Sequence, residues 1–518
     1  MLSDSSLYTA FQAKDSRFDG RFFVGVSSTG IYCRPVCRAR LPKAENCTFF
    51  ATAAEAESAG YRPCLLCRPE LAPGSSTTDA SSVLAKKATQ FLEENCGSGQ
   101  SLEELAGRLG CTGRHLRRVF MAEYHVTPVQ YMQTCRLLLA KNLLTDTSLS
   151  VTDAAMVSGF GSLRRFNDLF KKHYRLSPTA LKKELKKGTP DTAVTISLGY
   201  RPPYLWEDML RFLSARSIQG VDLVKDQCYW RTVRITDPKK GVIRGWLKVS
   251  HQLEKHALRV SISDSLLPVL PQVLGRVRHM FDLYCDPDVI LLALASPDPA
   301  PLKNAAFLRL PADVNGKIHP IPFHPGVRLP GCFDPFEMAV RAVLGQQITV
   351  KAANTLAGRI AAAYGEPLDT DIDGLTHTFP TPEVFSGLDG AIENHLGPLG
   401  VTSARAKTIR ALSEAFLQNT ISFGVCADPE TETGKLLAVP GIGSWTAKYI
   451  AMRTMAWTDA FLETDAGIRK AVDGPTPKEL LRISESWRPW RSYAVVTLWN
   501  SLEKENQKCF TEQITNHP

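Results

Sequence analysis

LLAVPGIGSWTAKYIAMR, residues 436–453, is the stretch on which the reading of this chain turns. A helix should end near Val439, Pro440-Gly441-Ile442-Gly443 should turn the chain tightly, and a second helix should run on from Ser444. Two glycines let backbone N–H groups at the start of that second helix approach a phosphate without any lysine. A Gly-Pro hairpin also serves simply to turn two helices, so the motif alone leaves both uses open. Asp465 follows 22 residues after Gly443, in FLETDAGIRKAV, where another helix should begin. It could cap that helix, or present a carboxylate beside the hairpin.

Around the hairpin lies a charge-balanced region: residues 189–518 carry 35 Lys+Arg and 35 Asp+Glu. Within it, TISLGYRPPY (195–204), CYWRTVRI (228–235), VIRGWLKVS (242–250) and ALRVSIS (257–263) alternate apolar and polar residues, as half-buried strands do. With helical stretches around Trp206–Ser217 and Leu267–Tyr284, they predict an α+β subdomain over 193–305. The Pro-rich interval SPDPAPLK (296–303) then leads to a mostly helical remainder, 306–518.

The first 188 residues differ. They hold 26 Lys+Arg against 17 Asp+Glu, so the whole +9 formal charge of the 518-residue chain sits there and points to a polyanion. Of 13 cysteines, four form two short pairs, Cys33-Arg-Pro-Val-Cys37 and Cys64-Leu-Leu-Cys67, separated by 26 residues. Such pairs can converge as a tetrahedral thiolate site, and zinc suits it; buried small hydrophobes are the alternative. Arg34, Arg38, Arg40, Arg62 and Arg68 crowd these cysteines, a setting that favours thiolate and attracts phosphate.

APGSSTTDASS (72–82) reads as a linker. Beyond it, 83–187 is helical in pattern. Ser101-Leu-Glu-Glu104 forms a capping box, Gly110 breaks the helix, and Thr112 opens another carrying Arg114, Arg117 and Arg118 on one face. About 50 residues later the arrangement recurs: Val151–Val157, a Gly159-Phe160-Gly161 turn, then Ser162, Arg164, Arg165 and Asn167. Two helix-turn-helix units joined by a Tyr131–Leu144 helix could reach successive major-groove faces; a plain bundle with a solvated basic face is the bland alternative.

Three resemblances narrow these alternatives. FFVGVSSTGIYCRPVCRAR (22–40) and YRPCLLCRPE (61–70) resemble the N-terminal domain of Ada alkylation-response regulators. The resemblance implies one zinc ion on Cys33, Cys37, Cys64 and Cys67 over residues 1–76, with Cys33 accepting a methyl group from a DNA methylphosphotriester. Losing one thiolate charge should then lessen repulsion of the backbone and tighten DNA binding. GFGSLRRFNDLFKKHYRLSPTALKK (159–183) resembles AraC-type regulators, which often carry Gly where Arg175 stands. That likeness implies DNA contacts by Arg114, Arg117, Arg164 and Arg165, and RNA polymerase as a partner.

FEMAVRAVLGQQITVKAA (336–353), the hairpin, SWRPWRSYAVVTLW (486–499), LGYRPPY and FLSARSIQGVD resemble helix-hairpin-helix glycosylases of the 3-methyladenine DNA glycosylase II (AlkA) family. The likeness implies Asp465 as the catalytic carboxylate and Trp445, Tyr449 and Trp499 as aromatic walls for a flipped base. It further implies DNA contact through Gly441 and Gly443, and a wedge at Gln347 where relatives can carry Leu. A related branch carries a Lys nucleophile two residues after the second hairpin Gly; Trp445 stands there, so a monofunctional glycosylase without lyase activity is expected. Only Cys509 lies near the C-terminal end, so no iron–sulfur cluster is expected.

The sequence thus predicts a multidomain, mainly α protein with α+β parts: zinc domain, double helix-turn-helix bundle, α+β subdomain and all-α glycosylase domain. Its expected partner is double-stranded DNA, at promoters and at alkylated sites. The competing reading is a regulator whose glycosylase-like part is a non-catalytic appendage. The longest apolar run, Val289–Ala295, is far below the ~20 residues of a membrane helix. The start, MLSDSSLYTA, has neither a basic nor an apolar leader region, so a cytoplasmic, nucleoid-associated protein is expected.

Overall fold

The computed structural model describes residues 3–73, 83–97, 101–185, 194–296, 306–308, 321–424, 426–472 and 474–502. Most of the 72–82 linker, the end of the basic stretch after Lys182, most of SPDPAPLK and Cys509 lie outside these residues. Among the described residues no helix is long and apolar enough to cross a membrane.

The cysteine-rich segment is a small sheet. Strands β1 (Phe23–Val26), β2 (Ile31–Cys33), β3 (Cys47–Phe50) and β4 (Arg62–Pro63) lie in the order β3-β1-β2-β4, with only β2 and β4 parallel. Tyr32 and Val24 are fully buried, and the helix Ala53–Ser58 packs alongside. This pairing sets the cysteines that end β2 and follow β4 side by side.

The helical region repeats itself with an offset of fifty residues. Helices Gly113–Tyr124 and Leu163–Tyr174 bury Leu116, Phe120 and Tyr124, and Phe166, Phe170 and Tyr174, at matching four-residue intervals. Thr112 and Ser162 cap them by accepting from the backbone N–H groups of His115 and Arg165. Each helix ends in the left-handed region, at His125 and Arg175, both with φ 55°. That conformation accounts for glycine being common at the second position: Arg175 bears the strain that glycine avoids. The predicted capping box is present, Ser101 and Glu104 bonding reciprocally, and the connecting helix is longer than expected, Pro128–Asp146.

The α+β subdomain is an antiparallel sheet of β5 (Val194–Gly199), β6 (Asp222–Lys225), β7 (Cys228–Asp237), β8 (Gly241–Gln252) and β9 (Ala257–Ile262). Its order is β5-β9-β8-β7-β6. Helices Trp206–Ser214 and Leu270–Met280 cover one face. The remaining helices form two cores. One gathers Phe336, Ile360, Ile409, Leu436 and Ile450; the other gathers Met452, Phe461, Trp487, Val495 and Leu498.

Two relationships differ from the modular expectation. The helix Pro287–Leu294 packs with Phe461 and Trp487 rather than with the sheet before it, because Ile290 and Leu294 face that core. Nor are the basic third and the neutral region held apart. Leu137, Leu143 and Phe170 share one continuous core with Val194, Ile196 and Leu274. Polar ties cross the same seam: Glu93 accepts from Tyr131 Oη at 2.8 Å and from Tyr284 Oη at 3.1 Å, and Arg21 pairs with Asp286.

Candidate functional site

Asp465 is the N-cap of the helix Ala466–Ala471, its Oδ1 accepting from Ile468 N at 2.9 Å. The same carboxylate accepts Trp499 Nε1–H on Oδ1 at 3.1 Å and Trp445 Nε1–H on Oδ2 at 3.0 Å. All three partners are N–H donors, the complement of a group that only accepts. The capping role and the chemical role read from the sequence are therefore compatible: one oxygen serves the backbone while both are aimed by indoles. Asp465 stays half-exposed, within reach of substrate.

The predicted aromatic walls converge here. Trp445 and Tyr449, one turn apart on the helix Ser444–Thr454, stack with centroids 4.9 Å apart and planes at 19°. Trp499 meets Tyr449 edge-on at 6.2 Å. No ring-sized gap separates Trp445 from Tyr449, which stack directly on one another. Behind it, the buried Arg453 donates to Tyr449 Oη at 2.7 Å and to the Gly331 carbonyl at 2.9 Å, while stacking on Phe212. Burial pushes the Tyr449 phenol up, but the charges of Arg453, Arg216 and Arg341 outweigh it and hold the phenol below its usual range. Arg453 was not singled out by sequence reading, although its four-residue spacing from Tyr449 is the available signal.

The hairpin forms as read, its first helix ending slightly early, Pro429–Leu437. Gly441 has φ +86°, and a Cβ there would meet Thr408 Oγ1 at 2.0 Å, so glycine is required twice over. Gly443 is exposed, nothing lies near the space of its absent Cβ, and no side chain caps the helix it precedes. Gly443 and Ser444 are exposed at this helix start, which leaves its first turn without a side-chain cap and open to a phosphate.

Gln347 sits at the tip of the turn between helices Pro335–Leu344 and Val350–Tyr364, exposed and with φ 56°. Its neighbour Gln346, which the sequence did not mark, donates from Nε2 to the Gly441 carbonyl at 3.0 Å and to Thr446 Oγ1 at 3.2 Å. Arg405, from the helix Ser403–Leu417, donates to the Gln346 carbonyl.

Far from this centre in sequence, the Sγ atoms of Cys33, Cys37, Cys64 and Cys67 lie within 4.8 Å of one another. A Zn–S bond of about 2.3 Å in a tetrahedron requires sulfurs about 3.8 Å apart, so the four thiols fit a single zinc ion. Arg34 N–H donates to Cys67 Sγ at 3.3 Å. The surrounding arginines divide into two groups. Arg34 is buried and paired with Asp19, and Arg68 is bound to Glu70 and to Asp146 of the connecting helix. Arg34 braces the cysteine segment and Arg68 ties it to the helical region, while Arg38 and Arg40 remain exposed and able to meet phosphate.

On the helix-turn-helix units, Arg114, Arg117, Arg164 and Arg165 are all exposed. Arg117 pairs with Glu103 at 2.8 Å, across the turn.

Comparison with known proteins follows the same division. Four family models match: the metal binding domain of Ada over residues 6–70, a helix-turn-helix domain over 105–184, the AlkA N-terminal domain over 195–315, and the HhH-GPD superfamily of base excision DNA repair proteins over 340–489. The chain is 36% identical over 506 residues to a Mycobacterium tuberculosis protein described as a probable bifunctional transcriptional activator/DNA repair enzyme AlkA, covering 96% of each chain. It is 35% identical over 303 residues to the Escherichia coli DNA-3-methyladenine glycosylase 2, covering 58% of this chain and 96% of that one. It is 31% identical over 188 residues to the Bacillus subtilis bifunctional transcriptional activator/DNA repair enzyme AdaA, covering 36% of this chain and 85% of that one.

Proposed function

The chain belongs to the AlkA-type family of bifunctional transcriptional activators and DNA repair enzymes, and from that premise we propose the residues by which it works. Its C-terminal part is a glycosylase that hydrolyses the N-glycosidic bond of alkylated bases such as 3-methyladenine, with Asp465 as the catalytic carboxylate. The observation that carries this assignment is the bracing of Asp465 by Trp445 and Trp499 in the aromatic cluster.

The chemistry follows from the charges. An alkylated purine is cationic and leaves without strong acid assistance, and electron-rich rings attract a cation. As the C1′–N bond breaks, its electrons neutralise the base and leave an oxocarbenium-like sugar. Asp465 stabilises that cation and orients water, whose oxygen bonds C1′ while its proton passes to the carboxylate or to solvent. The base must first leave the stack; Gln347 fills the gap, while the Gly441–Gly443 hairpin holds the phosphate. With Trp445 at the position of the lyase nucleophile, strand cleavage is not part of this reaction.

The N-terminal part reads phosphate damage. Cys33, Cys37, Cys64 and Cys67 would hold one zinc ion, which keeps a bound sulfur deprotonated yet nucleophilic. Cys33 attacks the methyl carbon of a methylphosphotriester: the S–C bond forms, the C–O bond breaks, and the phosphodiester anion leaves. Loss of one thiolate charge favours the DNA backbone beside Arg38 and Arg40. Promoter binding through Arg114, Arg117, Arg164 and Arg165 then recruits RNA polymerase. Release of 3-methyladenine from methylated duplex DNA by the intact protein tests the enzyme assignment; no release would contradict it.

A further inference from the structure

The geometry points to Gln346 as the positioning residue that couples the wedge at Gln347 to the phosphate-binding hairpin, an inference that rests on the glycosylase reading above. Three segments meet at it. The turn after Leu344 is short: Gln346 N donates to the Val343 carbonyl at 3.3 Å, and Thr349 already caps the following helix by accepting from Ala352 N at 3.2 Å. Between these points Gln347 is exposed and occupies the left-handed region, so its placement follows from how the turn that carries it is anchored, and Gln346 is the anchor.

Gln346 is held from both ends. Its side-chain amide spends its donors on the Gly441 carbonyl, in the hairpin, and on Thr446 Oγ1, in the first turn of the helix that the hairpin opens. Its backbone carbonyl takes a charged donor from Arg405. One face of the Ser403–Leu417 helix closes the triangle. Arg405 and Thr408 lie three residues apart on it; Arg405 grips the wedge turn, and Thr408 fills the space beside Gly441 where a Cβ would be. Wedge and hairpin are thus fixed at one separation.

That fixed separation matters only when a base must be taken out of a duplex. The hairpin grips the backbone and the wedge occupies the vacated stack, and an error of about 1 Å between them can cost about a hundredfold in rate. A single strand has no stack to refill. Gln346 takes no part in the bonds that hold Asp465, whose donors are Ile468 N–H, Trp445 Nε1–H and Trp499 Nε1–H.

The test compares excision from one methylated oligonucleotide, presented as duplex and as single strand, by the intact protein and its variants. Gln346→Ala should lower the duplex-to-single-strand rate ratio about tenfold or more. Gln346→Glu, which sets a carboxylate against the Gly441 carbonyl, should lower it at least as far. A 2-aminopurine placed beside the lesion should report reduced flipping in both variants, with an unchanged circular dichroism melt excluding misfolding. Equal losses on both substrates, or no loss on either, would overturn the coupling role. If the wild-type protein releases no base from either substrate, the glycosylase assignment fails instead.

Discussion

The indole N–H of Trp445 donates to Asp465 Oδ2 at 3.0 Å, across 20 residues of sequence, and so ties the helix that opens the hairpin to the carboxylate. A hydrogen bond to a charged group contributes about 1.5–3 kcal/mol. Trp445→Phe keeps an aromatic ring against Tyr449 but loses the pyrrole ring and with it the N–H donor. We expect kcat for base release to fall about ten- to a hundredfold with a smaller change in KM, measured by steady-state release of 3-methyladenine. A loss confined to KM would show that Trp445 serves binding alone.

Cys33→Ala should abolish methyl uptake from methylphosphotriester DNA, followed by transfer of labelled methyl to protein. Elemental analysis of the intact chain should find one zinc per molecule. Methyl transfer persisting in Cys33→Ala would move the acceptor to another of the four cysteines, of which Cys67 is the more exposed.

Among the candidate DNA contacts, Arg117 is partnered by Glu103 and no ion pair engages Arg114 among the described residues. Arg114→Ala should therefore weaken promoter binding more than Arg117→Ala. If each arginine meets one phosphate, the dependence of log K on log salt should flatten by about 0.9 per residue lost. Binding isotherms across a salt series separate the two; equal effects would mean that DNA breaks the Glu103 pair without cost.

Glu94 ends the helix Val83–Glu94 against Gly275, close to Glu93, Arg276 and Arg278. Burial, opposed by Arg278 and aided by the charge of Glu93, pushes it up to about 7 from an ordinary value of 4.5. The folded protein therefore holds a proton that the unfolded chain releases between those values, and stability falls as pH rises from about 4.5 to about 7. Glu94→Gln should raise the unfolding temperature by about 2 °C or more at pH 8, with the difference vanishing near pH 4.5. A destabilised variant at pH 8 would show that the charged form is better accommodated than burial implies.

Much of this was legible in residue order. The hairpin, the repeat at fifty-residue spacing, the capping box at Ser101 and the convergence of four cysteines are local or spacing signals, and they reappear as structure. Asp465 and its indoles were readable only through resemblance, since 20 and 34 residues of chain separate Asp465 from Trp445 and Trp499. Four things were not legible. Gln346 looked like a neighbour of Gln347 until Gly441 was placed beside it. The arginines around the cysteines looked alike, but Arg34 and Arg68 find Asp19 and Asp146, partners that no local spacing reveals. The four-stranded cysteine sheet rests on pairings among short strands that carry little periodicity. The charge contrast between residues 1–188 and the rest marks a boundary, but it does not show that apolar residues on both sides of it bury one another.

The glycosylase assignment stands on the carboxylate of Asp465. Asp465→Asn retains a side-chain oxygen for the Ile468 cap but replaces an ionised acceptor with a neutral amide, so the fold should survive while the sugar cation loses its stabiliser. Single-turnover release of 3-methyladenine from methylated duplex DNA, wild type against Asp465→Asn with melting curves matched, measures this directly. The expected loss is about a thousandfold; release by Asp465→Asn within a few-fold of wild type would overturn the assignment.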